Sequence, residues 1–262
     1  LKEIYSQKEH SMNFIIILIQ LERKSLLILT GHSKGLGRAI LDHFLNKEGF
    51  DVLAISRTKL EIEASNLTQI SLDLSELEVL QKELDSVFPI DNYEEFILIN
   101  NAGWIGEVKP IGSLHPAELR TQVNLNLLAP MFLTNSFIKT YKFNEARKQV
   151  INISSGAAKR AVSGWGGYCS TKAALAMFTM VAAKENKSDK FHFYSLAPGI
   201  VDTEMQAEIR SSNESDFPDI EKFKGFKENG DLSSPEDVAA KIDFLISNPS
   251  NFEDVIQDVR NF

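Results

Sequence analysis

From Leu26 to the carboxyl end, short apolar runs alternate with longer stretches of helical periodicity, and no other feature constrains the chain as much. Apolar runs of this length, bounded by Gly, Ser and Asn, read as strands buried on both faces. A helical stretch between successive strands makes βαβ units and a parallel sheet. The runs predict strands at Leu26–Thr30, Val52–Ser56, Gln69–Leu72, Phe96–Asn100, Val150–Ser154, Phe191–Leu196 and Val255–Val259. Helices are expected over Leu36–Lys47, Glu76–Val87, Ala117–Thr140, Tyr168–Ala183 and Pro235–Ile246, the last opened by Ser234 as N-cap and Pro235 as first helical residue. The expected fold is α/β, a doubly wound parallel sheet in a single domain over residues 25–262; at 43% hydrophobic the chain supplies the core it needs.

Two segments interrupt the alternation. Residues 1–24 contain the apolar run Phe14–Ile19, far below the roughly 20 residues of a membrane span. Glu22-Arg23-Lys24 follows it instead of a small-residue cleavage site, so the segment reads as an amino-terminal extension of unknown role. Residues 204–231 are polar and charged, and so long an insertion in an α/β sheet is expected to be a flap over the site.

A formal charge of -8 argues against a surface that follows nucleic-acid phosphates. The single cysteine, Cys169, leaves no internal disulfide and no Cys-based zinc site, and agrees with a reducing cytoplasm. None of the five histidines has a metal-ligand spacing with acidic neighbours, so no metal is expected. Neither nucleic acid nor membrane is an expected partner.

Two motifs carry chemistry. Thr30-Gly31-His32-Ser33-Lys34-Gly35-Leu36-Gly37 leaves the first strand and opens the first helix, where glycines allow a tight turn and the helix amino end offers N–H donors to a pyrophosphate. Tyr168 and Lys172 stand at i and i+4 on one helix face, with Ser155 thirteen residues upstream. A free tyrosine titrates near about 10, and a neighbouring positive charge lowers that value.

Together with Asn-Asn-Ala-Gly at Asn100–Gly103 and Pro198-Gly199, these motifs resemble the short-chain dehydrogenase/reductases, in the family's order from Leu26 to the carboxyl end. The resemblance implies a Rossmann fold and a hydride transfer between a nicotinamide cofactor and a small-molecule carbonyl substrate. It makes Tyr168 the general acid, Ser155 the holder of the carbonyl oxygen, and Lys172 the group that binds ribose hydroxyls and lowers the tyrosine pKa. Asn126, with Asn124 as its competitor in register, would anchor a water linking Lys172 to solvent. Gly31, Ser33, Lys34, Gly35, Leu36 and Gly37 would hold the pyrophosphate side, Asp73 and Leu74 the adenine. Asn101, Ala102 and Gly103 would line the nicotinamide ribose, and Pro198, Gly199, Val201 and Thr203 the carboxamide. The second strand ends Ile55-Ser56-Arg57 without the acidic residue of an NAD-selective site, and Lys34 and Arg57 offer charge to a 2′-phosphate, which makes NADP(H) the expected cofactor.

Within the family, Gly164–Cys169, Pro198–Gln206 and Val255–Arg260 look like sepiapterin reductase and the bacterial benzil reductases, which reduce side-chain ketones or vicinal dicarbonyls. Asp258 is then a substrate candidate, against the reading of an exposed acid on the last strand. Trp165 could stack on a flat substrate or merely pack its loop. Met205, with Phe223 or Phe226, could close the pocket from the flap. The helices over 117–140 and 168–183 match those that pair in family dimers, so a homodimer or homotetramer is expected. A non-catalytic NADP(H)-binding regulator on the same fold is the alternative, and the intact Ser155, Tyr168 and Lys172 argue against it.

Overall fold

Strand β1 (Ser25–Thr30) is buried along its whole length, and successive side chains point to opposite faces of the sheet. In the computed structural model, which describes residues 25–262, Leu27 and Leu29 pack on one side with Ile40, Phe44, Ile242 and Leu245. Leu26 and Ile28 pack on the other with Leu80, Phe137 and Tyr141. The sheet therefore lies between two helical layers. The amino-terminal extension over residues 1–24 lies outside the described residues.

Along the chain follow α1 (Gly35–Leu45), β2 (Phe50–Ser56), β3 (Leu67–Ser71), α2 (Leu77–Val87), β4 (Glu95–Asn100), α3 (Pro116–Val123), α4 (Ala129–Tyr141) and β5 (Arg147–Ile153). Then come α5 (Gly166–Glu185), β6 (Phe191–Ala197), α6 (Glu204–Arg210), α7 (Ile220–Glu228), α8 (Pro235–Ser247) and β7 (Ile256–Asp258). The seven strands form one sheet in the order β3-β2-β1-β4-β5-β6-β7, and every pairing is parallel. The chain winds outward from β1 to β3, returns to β4 on the other side of β1, and continues to β7. That reversal opens a crevice at the carboxyl ends of β1 and β4, where ligands bind in sheets of this kind.

Each expected strand and helix has its counterpart, with two revisions. The helix expected over 117–140 is broken: a five-residue π-helical turn, Asn124–Leu128, separates α3 from α4. Pro130 supplies the reason, because proline has no N–H to donate and its ring clashes with the carbonyl four residues back, here Asn126. Widening the turn, with Ala129 N–H donating to the Asn124 carbonyl, accommodates the ring. Residues 204–231 contain the helices α6 and α7, and the segment buries Ile209, Phe217, Ile220 and Phe223 in a cluster with Trp165 and Tyr168, Phe217 from the connection between the two helices. Polar composition concealed these few anchoring side chains.

Among the described residues, no helix is long and apolar enough to cross a membrane, and no three His, Cys, Asp or Glu side chains are grouped to hold a metal. Helix α8 is tied to α1 by Asp243, which accepts from His43 Nε2 at 2.9 Å and from Lys47 Nζ. Its start is capped by Ser234 Oγ, which accepts from Asp237 N–H at 3.0 Å. Replacing that cap by Ser234→Ala is expected to cost about 1 kcal/mol, seen in a thermal melt as a Tm lower by about 2–4 °C.

Candidate active site

The β1–β4 crevice is a cleft of about 630 Å³ lined from the glycine-rich turn to the start of α5. Thr30 builds its floor: its hydroxyl oxygen accepts the N–H groups of both Asn101 and Ala102 at 3.0 Å. Asn101 Nδ2 donates to the carbonyls of Thr30 and Gly31, each at 3.1 Å, so this amide locks the turn to the end of β4. Gly31 has φ +71°, and a Cβ there would lie 2.7 Å from Ala102 Cα; one at Gly37 would lie 2.0 Å from the Gly31 carbonyl oxygen. The backbone crosses itself too closely for side chains.

The same turn suits a dinucleotide. Helix α1 starts after Lys34 with no side-chain cap and no acidic residue in its own first turn, and its leading residues Gly35, Leu36 and Gly37 line the cleft, where a helix amino end offers N–H donors and a positive dipole. Lys34 and Arg57 are exposed on the cleft wall, and among the described residues neither forms an ion pair. Ser33, Gly35, Leu36, Asp73, Leu74, Gly103, Pro198, Gly199, Val201 and Thr203 line the same cleft. Asp73 does not cap α2; its carboxylate accepts from the N–H and hydroxyl of Ser75, at 2.9 and 2.7 Å.

At the far end stand Ser155, Tyr168 and Lys172. Ser155 leaves β5 in an extended conformation, and its Oγ accepts from Ala157 N–H at 3.1 Å, which fixes the side chain. Tyr168 and Lys172 sit one turn apart on α5, with Lys172 Nζ 5.7 Å from the centre of the phenol ring. Lys172 Nζ donates to the Ile153 carbonyl at 2.8 Å. A buried polar chain supports this floor: Asn100 Nδ2 reaches Asn152 Oδ1 at 2.8 Å and Thr134 Oγ1 at 3.2 Å, and Asn152 Nδ2 reaches Thr179 Oγ1 at 2.9 Å. It joins β4 and β5 to α4 and α5 beneath the lysine.

Burial pushes the Tyr168 phenol up to about 12, against a smaller lowering by the Ser155 hydroxyl. Lys172 is not among the causes of that shift. Its own ammonium is held down to about 8 by burial, which disfavours the charged form. Desolvation outweighs the Ser155 contribution, and the phenol is neutral at neutral pH.

Of the residues expected at the site, Asn124, Asn126, Phe223, Phe226 and Asp258 do not line the cleft. Asn126 is fully buried, and its amide clasps one backbone position: Oδ1 accepts from Trp104 N–H at 2.8 Å and Nδ2 donates to the Trp104 carbonyl at 2.7 Å. Its competitor Asn124 points elsewhere, to the Ser75 carbonyl at 3.0 Å. Asp258 binds Arg260 through N–H and Nε at 3.0 and 2.8 Å and caps the last turn of the chain, so its carboxylate is engaged. Trp165 and Met205 do line the cleft, but Trp165 is stacked on Phe217 with ring centres 5.5 Å apart, and Phe223 lies behind it in the cluster. Trp104 and Glu208, which the sequence patterns did not single out, also line it. Trp104 directly follows the Asn-Asn-Ala-Gly motif, the one hint the sequence held.

The family model for short chain dehydrogenases matches residues 25–214. Benzil reductase ((S)-benzoin forming) from Bacillus cereus is 44% identical over 232 residues, covering 84% of this chain and 93% of that protein. The enzyme of the same name from Bacillus subtilis (strain 168) is 40% identical over 242 residues, covering 90% of this chain and 99% of that protein. The crystal structure of the KRED1-Pglu enzyme superposes with a TM-score of 0.73 at 28% identity, over 85% of this chain and 94% of that one.

The lysine's low value has a consequence for stability. Below pH 8 folded and unfolded chains both carry its proton, and the burial penalty is fully present; between about 8 and the ordinary 10.5 only the unfolded chain keeps it, so stability rises with pH. Urea unfolding of wild type and Lys172→Met across pH 7 to about 10 is expected to show the wild type gaining on the variant above pH 8. A difference independent of pH would contradict the assignment.

Proposed function

This chain belongs to the short-chain dehydrogenases, and from that premise we propose that it is an NADPH-dependent carbonyl reductase acting on vicinal dicarbonyls of the benzil type. The observation that carries the reading is one continuous cleft with the cations Lys34 and Arg57, which form no ion pair among the described residues, at one end and Ser155, Tyr168 and Lys172 at the other. The nicotinamide, when bound, supplies the hydride. The protein's part is to meet the negative charge that grows on the carbonyl oxygen. Ser155 Oγ donates a hydrogen bond to that oxygen, and the neutral Tyr168 phenol transfers its proton to it. Lys172, one turn along α5, then faces the phenolate that remains and favours it electrostatically.

The absence of an acid at the end of β2 and the free charges of Lys34 and Arg57 support a 2′-phosphate, hence NADP(H) over NAD(H). The engagement of Asp258 by Arg260 favours an aryl dicarbonyl over a pterin held by that acid. The same reading includes pairing of two copies through α3 and α5, where Leu119, Met177, Met180 and Val181 remain exposed.

With benzil as substrate, Tyr168→Phe is expected to lower NADPH oxidation by about 10²–10⁴-fold while leaving NADPH binding in place. Failure of the wild type to oxidise NADPH with any diketone would remove the proposal. Lys34→Ala and Arg57→Ala are each expected to lower kcat/KM for NADPH about tenfold with little change for NADH, because each removes a charge-assisted contact to phosphate.

A further inference from the structure

Trp104 lines the cleft. Its backbone is held on both sides by the Asn126 amide, and its indole Nε1 donates to Glu208 Oε1 on α6 at 3.3 Å. The contact joins residues 104 positions apart and connects the loop after β4 to the 204–231 segment. Both side chains line the cleft, and among the described residues no cation pairs with Glu208. The chain has two tryptophans, and they are placed differently. Trp165 has one face covered by Phe217, at an interplanar angle of 12°, and meets Tyr168 edge-on, whereas Trp104 is half-buried on the cleft wall and makes no ring contact among the described aromatic pairs.

We propose that the Trp104–Glu208 pair determines the substrate class: uncharged aryl ketones and dicarbonyls are admitted, and carbonyl compounds that carry a carboxylate are rejected. The proposal rests on the reductase reading and adds the selection made at the substrate end. A flat indole offers an aryl ring an offset or edge-to-face partner, which an alkyl chain cannot match. A carboxylate fixed beside it repels a second carboxylate. Asp73, Glu118 and Glu204 line the cleft as well, and Glu208 is the acid held beside the indole.

Glu208→Gln retains an acceptor for the indole N–H and removes only the charge, at an exposed position. The probes are benzil, benzoylformate as its anionic counterpart, and 2,3-butanedione as the alkyl control. Glu208→Gln is expected to lower the benzil-to-benzoylformate ratio of kcat/KM about tenfold by admitting the anion. Trp104→Ala is expected to lower the benzil-to-butanedione ratio by a similar factor, and Trp104→Phe to preserve it. Binding read without turnover, as quenching of intrinsic fluorescence at saturating NADP⁺, should show benzoylformate affinity rising in Glu208→Gln. A wild type inactive on all three compounds would sink the reductase reading and this assignment with it. Benzil turnover with both ratios unchanged in the variants would overturn this assignment alone.

Discussion

The junction between the carboxyl ends of β1 and β4 is the contact on which the site depends. A single hydroxyl, Thr30 Oγ1, accepts two successive backbone N–H groups, and the Asn101 amide returns two hydrogen bonds to the glycine turn. These bonds pair backbone groups at the end of the sheet, where ladder partners run out. They also press the turn against Ala102 so closely that Gly31 and Gly37 admit no side chain. The cleft has its shape because two strand ends are bolted together and the chain must leave them in opposite directions.

The two ends of the cleft are controlled by different physics. At the glycine turn, charge is exposed and solvated: among the described residues Lys34 and Arg57 form no ion pair, and the start of α1, which lacks a side-chain cap, adds its own positive field. Around Tyr168 and Lys172 burial dominates. Desolvation raises the phenol and lowers the ammonium, bringing two groups of ordinarily high pKa to different poises within one turn of helix. The chain Asn100–Asn152–Thr179 holds the strands and α5 beneath them in one arrangement, so the poise is a property of the fold and not of a mobile side chain.

Much of the architecture was legible because its signal is local. A strand buried on both faces must be an unbroken apolar run, and β1, β2 and β4 are buried at every residue. The break between α3 and α4 was missed because apolar periodicity continues through it, although Pro130 marked the place where an α-helical carbonyl has no room. The helices over 204–228 were missed for the opposite reason. Their composition is polar, and four buried side chains are enough to dock them. Among the site candidates, those on motifs at strand ends line the cleft, because the strand fixes where the residue after it emerges. Asp258 does not, since an arginine two residues away captures its carboxylate.

By itself the sequence determined which segments become strands, the spacing of Tyr168, Lys172 and Ser155, and the absence of an acid after β2. All of these follow from short-range periodicity and from steric limits on a few residues. Only the tertiary structure decided that Asn126 clasps the Trp104 backbone, that Trp165 is covered by Phe217, and that Trp104 meets Glu208. Such encounters join side chains far apart in the chain. They depend on how the aromatic cluster seats α6 and α7 over the cleft, and no local pattern encodes that placement.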